Sequence, residues 1–444
     1  MMTLEWLKPG VKLKRWIVLL AASLFIFCMG ICASLTWFRD DYRWVAVLII
    51  CLIVSVPMGY YAMKRIVWSF VDVISINCAT LSFDSDKLSS MLYERRLQIN
   101  GPKIVAVGGG TGLSTMLRGL KKYSSNLTAL VTVADDGGGS GVLREDLGIL
   151  PPGDIRNCIL ALADTEPIMQ NLLNYRFHDG MLKGQSFGNL FLAAMDGISD
   201  SFEVAVQKMS DVLAVTGRVL PITLEDVRLC AQTKDGKTIF GEYNIGHRDN
   251  YESPIDRVFF NQQSVKPLDE AIVAINEADI IVLGPGSLYT SIIPNLLVDG
   301  VCDALRNTSA VIVYVCNVMT QPCETEHYKL SDHIRAIEKH TGTGIIDYCI
   351  VNTANIPDEL SLRYNKDGAE MVQVDAKEVE NMGIKLVTGD FKAINANYIR
   401  HDSAKLARKI IEMVSELVLA KDKKRALDYY YAIDRLNSAD KHDG

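Results

Sequence analysis

The sequence predicts a Rossmann-like α/β body, preceded by two transmembrane helices. The body is expected to hold a doubly wound, mostly parallel sheet with a small antiparallel insertion. From Lys103 onward, continuous apolar strands alternate with amphipathic helices, and two of these strands run directly into glycine-rich turns. Two long uncharged segments near the N-terminus indicate the membrane helices.

The two uncharged segments are residues 16–38 and 44–63, and each is long enough to cross a bilayer core of about 30 Å. A signal peptide is disfavoured because the first segment is too long and a second follows it at once. Two buried core helices remain the alternative. Basic residues precede the first segment and follow the second, so the positive-inside rule predicts a multi-pass protein of the cell membrane. The N-terminus and the large C-terminal body are then both cytoplasmic.

The domain organisation follows from these patterns. We expect a two-span hairpin over residues 1–65, a helical linker over 66–100, the body over 101–420 and a charged tail over 421–444. Within the body, residues 217–260 contain closely spaced strands around a "KDGK" turn and are expected to form the antiparallel insertion.

Composition limits the classes of partner and site. The formal net charge of −7 argues against a nucleic-acid partner. The ten cysteines are scattered, without a Cys-x-x-Cys pair or a tight Cys/His cluster, which predicts reduced thiols and no zinc site. An α/β body of this kind often pairs, which leaves a homodimer open.

The first glycine-rich turn, "GGGTG", directly follows a strand and opens a helix. Glycine lets the backbone approach an anion closely, and the exposed N–H groups with the helix dipole attract it. The turn lacks the Gly-Lys-Ser/Thr ending of a P-loop. A tight turn within the core is the alternative. The predicted phosphate-binding residues are Gly108, Gly109, Gly110, Thr111 and Gly112.

Two carboxylates end the second strand, at Asp135 and Asp136. A dinucleotide-binding fold places its ribose-binding acid there, and the pair also suits a divalent cation such as Mg²⁺. The alternative is a helix cap in a solvated turn. No metal ligand set is assigned.

Three polar positions open the next helices. Asp154 stands where a helix cap would be, and Arg156 and Asn157 follow in the first turn, where an arginine could pair with phosphate. Asn189 opens a strongly apolar helix, either as a ligand contact or as a cap.

A second strand-turn-helix motif, "VLGPGSLYTSIIPNLLV", predicts a second anion-binding loop. Loops at the carboxyl ends of parallel strands meet in one crevice, so both loops are expected to face a shared ligand. Asn317 ends another strand at the same edge. Arg400 precedes the last helix and is either a phosphate contact or a surface residue. The loop residues assigned to binding are Gly284, Gly286, Ser287, Tyr289 and Thr290.

The motifs together resemble those of the gluconeogenesis factor family, which is similar in fold to the 2-phospho-L-lactate transferases. The matching stretches are "GGGTGLSTMLRGL", "VTVADDGGGSG", "PPGDIRN", "FGNL", "GPGSLYTSIIPNLLV" and "VCNVMTQ", in that order, within residues 103 to about 415. The resemblance implies a regulatory protein that binds a nucleotide sugar of the UDP-N-acetylglucosamine type. It also implies a link between carbon metabolism during gluconeogenic growth, cell-wall synthesis and cell shape.

The transferase branch implies an alternative, an enzyme that moves a phosphate-linked group with a divalent metal. The first loop of those enzymes resembles GGTGGAKL, whereas this chain has Leu113 in place of a glycine and Thr115 in place of the lysine. This difference argues for binding without catalysis, and no catalytic residue is assigned. NAD remains a further candidate ligand, although no dehydrogenase-type catalytic set accompanies the turn.

Overall fold

The computed structural model describes residues 13–36, 43–76, 98–99, 101–165, 167–247, 253–395 and 398–421. The chain divides into two compact units, one ending at Met91 and the other beginning at Leu92.

The first unit contains two helices, α1 (Leu13–Thr36) and α2 (Arg43–Ile76). Each is long and apolar enough to cross a membrane, which confirms the prediction of two membrane-length helices. The helix α2 continues to Ile76, past the predicted end of the hairpin at residue 65. The rest of the predicted linker up to residue 97, and the tail beyond residue 421, lie outside the described residues.

Small residues lie where the two helices touch. A Cβ atom on Gly30 would meet Cys51, and one on Gly59 would meet Ser23. The Ser23 hydroxyl also donates a hydrogen bond of 2.8 Å to the carbonyl oxygen of Ser55. Close helix packing of this type is how small residues associate membrane helices.

The second unit is built on strands and helices that alternate along the chain. The strands are β1 (Ile104–Gly108), β2 (Leu127–Val131), β3 (Arg218–Pro221), β4 (Leu229–Thr233), β5 (Thr238–Phe240), β6 (Ile255–Phe260), β7 (Ile280–Leu283), β8 (Val311–Val315), β9 (Tyr348–Asn352), β10 (Lys385–Gly389), β11 (Lys392–Asn395) and β12 (Tyr398–His401).

The helices of this unit flank the sheet and cap its loops. They are α3 (Gly110–Leu120), α4 (Gly138–Leu147), α5 (Gly153–Leu162), α6 (Pro167–Asn174), α7 (Phe187–Gly197), α8 (Phe202–Val212), α9 (Glu242–Gly246), α10 (Asp269–Glu277), α11 (Ile293–Leu296), α12 (Val301–Asn307), α13 (Leu330–Thr341), α14 (Asp358–Lys366), α15 (Ala376–Asn381) and α16 (Ser403–Lys421). A π-helical turn, Leu288–Ile292, leads into α11.

The main sheet has the strand order β10-β9-β8-β7-β1-β2-β3, and every neighbouring pair is parallel. Its central strands β1, β2 and β7 are apolar and buried along their whole length, as expected for strands covered by helices on both faces. The chain runs from β1 outward to β3 and then returns to place β7 on the other side of β1. The predicted doubly wound sheet is confirmed, and its topological switch point lies between β1 and β7.

The structure corrects two details of the predicted insertion. The strand β3 is not part of it but pairs in parallel with β2, burying Val219 and Leu220, so the antiparallel sheet holds only β4, β5 and β6. The segment "GEYNI" is the helix α9 rather than a strand. Gly241 has a φ of +93°, so the chain turns away from the direction of β5 at this residue. The Tyr243 N–H, at the start of α9, then donates a hydrogen bond of 2.8 Å to the Asp136 carboxylate.

A third difference concerns residues 369–375, whose apolar pattern indicates a strand. The segment forms only isolated bridges, from Met371 to Met319 and from Gln373 to Lys329. Its partners belong to the loop before α13 rather than to a neighbouring strand, so no ladder forms.

Candidate functional site

The two glycine-rich loops meet at the switch point between β1 and β7. The N–H of Gly284 donates a 2.8 Å hydrogen bond to the carbonyl oxygen of Val107, which joins the ends of the two strands. A Cβ atom at Gly112 would lie 2.6 Å from the carbonyl oxygen of Pro285. Only glycine fits at that contact. The structure therefore brings both loops to the same crevice.

A cavity of about 280 Å³ opens between the first loop and the β11–β12 hairpin. It brings together four of the predicted binding residues, Thr111, Gly112, Asn317 and Arg400. The remaining lining residues are Thr115, Pro285, Val318, Met319, Tyr398, Ile399 and His401. The first loop and the last strand, remote in sequence, thus form the two sides of this cavity.

A second cavity, of about 570 Å³, continues from the first past Thr115 and Arg400. It adds the exposed guanidinium-bearing residue Arg118 on α3 and Ser403 at the start of α16. Asp402 also lines this cavity, so the two arginines outnumber its carboxylates by one. His401 lines both cavities, and burial lowers the pKa of its imidazole to about 4, so the ring is neutral at neutral pH.

The other side of the first loop carries a buried carboxylate. Asp154 lies against Gly109, where a Cβ atom would collide with its Oδ2. Burial, followed by the charge of Asp135, raises the pKa of Asp154 to about 7, although a hydrogen bond from the Gly110 backbone N–H favours the ionised form. Asp154 is not the helix cap that the sequence suggests, because Pro152 occupies the cap position of α5. Its carboxylate faces the loop instead.

Asp135 and Asp136 lie beyond β2 and have different surroundings. Asp135 accepts a hydrogen bond of 2.9 Å from the Gly137 N–H, and burial raises its pKa. Asp136 instead accepts a hydrogen bond from the Tyr243 N–H in the first turn of α9.

Glu242, in the first turn of α9, joins these carboxylates. Burial, and then the charges of Asp135 and Asp154, raise the pKa of Glu242 to about 8. The described residues include no His, Cys, Asp and Glu group arranged to hold a metal ion. The first loop thus has an acidic side, where Asp135, Asp154 and Glu242 line neither cavity, and a basic side that faces the cavities with Arg118 and Arg400.

Arg156 and Asn189 lie beside the acidic side. Arg156 is buried with its Nε lacking a hydrogen-bond partner, near the charges of Asp154 and Asp135. Burial, followed by the charge of Arg176, lowers the pKa of Arg156. The next predicted residue of that helix, Asn157, is half-buried.

Asn189 does not cap its helix, because Ser186 does so and accepts a hydrogen bond of 3.2 Å from the Asn189 N–H. Its side chain is buried, and the Oδ1 atom has no hydrogen-bond partner. A buried amide oxygen without a partner is a candidate ligand contact.

Polar groups of the second loop form hydrogen bonds with other residues of the protein. The carboxylate of Glu324 accepts hydrogen bonds from the Tyr289 N–H and the Thr290 hydroxyl, each at 3.2 Å. Gln321 accepts one of 2.8 Å from the Ser287 hydroxyl, and the amide of Asn317 exchanges two hydrogen bonds with Gly286.

The Tyr289 ring is buried and its hydroxyl pairs with that of Tyr328, so it contributes no group to the cavity. These polar groups are satisfied within the protein. The loop predicted as a second anion site lies along the crevice, with the N–H groups of Gly284, Gly286 and Tyr289 and the hydroxyls of Ser287 and Thr290 bonded within the protein.

The two positions that differ from the transferase pattern are also visible. Leu113 lies on the buried face of α3 and is fully buried in the core. Thr115 lines the cavity, and its hydroxyl donates a 2.8 Å hydrogen bond to the carbonyl oxygen of Thr111. At this position the side chain that lines the cavity is therefore neutral, where the transferase pattern has a lysine.

A family model described as 2-phospho-L-lactate transferase CofD matches residues 104–392, from β1 to the start of β11. The cavity-lining residues after 397, Arg400 among them, lie outside this match. A gluconeogenesis factor from Bacillus subtilis is 47% identical over 316 residues, which are 71% of this chain and 99% of that protein. The chain belongs to the gluconeogenesis factor family. A relative from Clostridium acetobutylicum, which carries the family name provisionally, is 49% identical over 98% of this chain and 96% of its own length.

A crystal structure of a UPF0052 family member from Bacillus halodurans has the same fold. It has a TM-score of 0.67 and 44% identity, and the match covers 69% of this chain and 98% of that one. These two Bacillus relatives are therefore about the length of the body, and about 30% of this gluconeogenesis factor family member lies outside each match.

Sequence reasoning missed Glu242, Gln321 and Glu324. Glu242 lies in a segment that has the composition of a strand, and the other two lie in the irregular segment before α13. No motif marks them, because their roles depend on the loops that the fold brings next to them.

Proposed function

We propose that this protein is a regulatory protein that binds a nucleotide sugar of the UDP-N-acetylglucosamine type without turning it over. In this role it would link gluconeogenic carbon metabolism to cell-wall synthesis and cell shape. The observation that carries the proposal is the cavity between Thr111, Gly112 and Arg400 at the switch point of the sheet.

The charge distribution supports a particular orientation of the ligand. In the second loop the Tyr289 N–H already bonds to Glu324 and the Gly286 N–H to Asn317, and the acid Asp154 covers part of the first loop. A diphosphate is therefore expected on the side of Arg118 and Arg400, away from Asp135, Asp154 and Glu242. Sugar or ribose hydroxyls, which donate hydrogen bonds, suit the acidic side.

Calorimetric titration with UDP-N-acetylglucosamine tests this proposal. We expect saturable binding, with a stabilisation of about 2.7 kcal/mol at a hundredfold excess over Kd. The variant Arg400→Ala should weaken binding by at least about tenfold, because a charge-assisted phosphate contact is lost. The control Arg257→Ala removes an exposed arginine of β6 outside both cavities and should bind normally. Equal affinities for the two variants would refute the assignment.

We also propose that the helices α1 and α2 anchor the protein in the cell membrane with the N-terminus and the body in the cytoplasm. Their length and apolar composition support the anchor, and the flanking basic residues support the orientation. Protease treatment of intact and opened cells tests it. Digestion of the body only after opening supports this topology, and digestion in intact cells contradicts it.

A transferase-like activity is the second candidate. Its support is the group of Asp135, Asp154 and Glu242, whose pKa values are raised first by burial and then by the charges of neighbouring carboxylates. Carboxyl groups with raised pKa values are candidates for proton transfer. Incubation with nucleotide donors and Mg²⁺, followed by mass spectrometry, decides between the candidates. A stoichiometric product would overturn the binding-only proposal.

A further inference from the structure

An exposed apolar arm leaves the body between α5 and α7. The arm, residues 167–184, consists of α6 and the turn that follows it. Within α6 only Leu173 is buried, and it joins the core. Six large apolar side chains of the arm are exposed to solvent: Ile168, Met169, Leu172, Tyr175, Met181 and Leu182.

The arm is ordered by its own backbone hydrogen bonds. The Phe177 N–H donates to the carbonyl oxygen of Gln185, and the Gly184 N–H donates to that of Phe177, each at 2.9 Å. The Phe187 N–H donates to the carbonyl oxygen of Tyr175 at 2.8 Å. These bonds hold the turn outward, so that the Met181 side chain at its end is fully exposed. A formed element that exposes several large apolar side chains is a candidate interaction surface.

The charges of the arm point to an anionic partner surface. Arg176 and Lys183 are exposed on it, against a single acid, Asp179, while the whole chain carries a net charge of −7. Apolar side chains flanked by basic ones suit the interface of a bilayer that contains anionic lipids. The basic side chains reach the phosphates while the apolar ones enter the acyl boundary.

The covalent tether to the anchor is short. Only residues 77–97 separate the end of α2 from Gln98, and this length of chain spans at most about 70 Å when fully extended. A body attached in this way meets the bilayer at a high effective concentration, so a weak surface affinity suffices.

We propose that the apolar arm docks on the cytoplasmic leaflet of the membrane, with Met181 and Leu182 inserted at the boundary between the headgroups and the acyl chains. This inference rests on the proposed membrane anchor. The arm leads directly into Ser186, the cap of α7, so a docked arm would hold the acidic side of the first loop next to the lipid surface.

The positions of the tryptophans allow a direct test. All five lie at residues 6, 16, 37, 44 and 68, so the body over residues 98–444 has none. The crystal structure of the Bacillus halodurans relative, matched over 98% of its length by 69% of this chain, supports the use of the body alone. We therefore suggest tethering the body by an N-terminal histidine tag to vesicles of phosphatidylcholine and phosphatidylglycerol that contain nickel-chelating lipid.

The variant Met181→Trp places the only tryptophan on the arm, and Leu362→Trp places it at an exposed apolar position of α14 as the control. Chain-brominated lipid should quench the fluorescence of Met181→Trp at least about twofold more than that of Leu362→Trp, because only a tryptophan near the acyl chains is quenched. Equal quenching of the two variants overturns the proposal. A spectral shift of Met181→Trp that depends on protein concentration without lipid also overturns it, in favour of a second copy.

The full chain provides a second measurement. In nanodiscs that contain phosphatidylglycerol, hydrogen–deuterium exchange over residues 167–184 should be slower than in detergent, and Ile168→Asp with Leu172→Asp should abolish the difference. Unchanged exchange in the parent chain refutes docking. Extraction of the full chain from membranes by alkaline carbonate would refute the anchor, and the vesicle experiment would then judge the arm by itself.

Discussion

The carboxylate of Glu324 accepts hydrogen bonds from the backbone N–H of Tyr289 and from the hydroxyl of Thr290, each at 3.2 Å. Gln321 adds a third, at 2.9 Å from its Nε2. A strand-turn-helix motif normally offers such donors to a ligand anion. Here a buried side chain of the same protein takes that place, while the first loop and Arg400 line the cavity.

We predict that Glu324→Ala destabilises the protein by about 2 kcal/mol or more, because it leaves buried donors of the second loop without acceptors. Glu324→Gln keeps an acceptor oxygen and should cost less. Urea denaturation of the three proteins measures the difference. The exposed Glu380→Ala serves as a control and should change the free energy of unfolding by less than about 0.5 kcal/mol. Equal effects of Ala at both positions would contradict the inward role of Glu324.

The contact between the two loops gives a second prediction. A Cβ atom at Gly112 would lie 2.6 Å from the backbone oxygen of Pro285, which cannot move without shifting the second loop. Gly112→Ala should therefore cost about 1–3 kcal/mol of stability and reduce ligand affinity.

Its control is Gly197→Ala, since nothing lies within 4 Å of a Cβ atom there and its φ is not positive. This substitution in α7 should be neutral or slightly stabilising. Thermal unfolding of both variants compares them. A Gly112→Ala protein as stable as Gly197→Ala would mean that the loops are not packed as described.

The sequence was sufficient for the fold because its signals are local. Apolar strands, amphipathic helices and glycine turns follow from the neighbours of each residue, and they predict the doubly wound sheet and both loops. The error at β3 arose because a strand's partner is non-local, so a short strand near a hairpin was assigned to the hairpin. Glu324 and Glu242 could not be predicted, because each acts on a loop that only the fold brings to it.

The raised pKa values on the acidic side predict a pH dependence of stability. In the folded protein Asp154 and Glu242 have pKa values of about 7 and about 8, whereas the unfolded chain releases these protons near pH 4. The folded state therefore binds more protons between these values. Stability is fully present below about pH 4 and falls as the pH rises through 7 and 8, by at most about 1.4 kcal/mol per pH unit for each group.

The variant Glu242→Gln isolates this effect, because it keeps the shape of the side chain but cannot ionise. Urea denaturation at pH 5 and pH 8 should show a smaller loss of stability for this variant than for the parent protein. Replacement of the exposed Glu380 by Gln should leave the parent pH dependence unchanged. Parallel pH profiles for the parent and Glu242→Gln would show that Glu242 is ionised throughout.

The last prediction concerns the packing of the two apolar helices α1 and α2. A Cβ atom on Gly30 of α1 would approach the Cβ of Cys51 to 2.6 Å, so a large side chain at this position must separate the two helices. Gly30→Leu should weaken their association by about 1–3 kcal/mol, because close backbone approach is what holds such helices together. Ala22→Leu, at an exposed position of the same helix, makes a comparable increase in size without a facing helix and should have little effect. Titration with SDS in mixed micelles, followed by energy transfer between labels on α1 and α2, measures the separation. If α1 and α2 separate at the same SDS fraction in both variants as in the parent, the helices do not pack through Gly30.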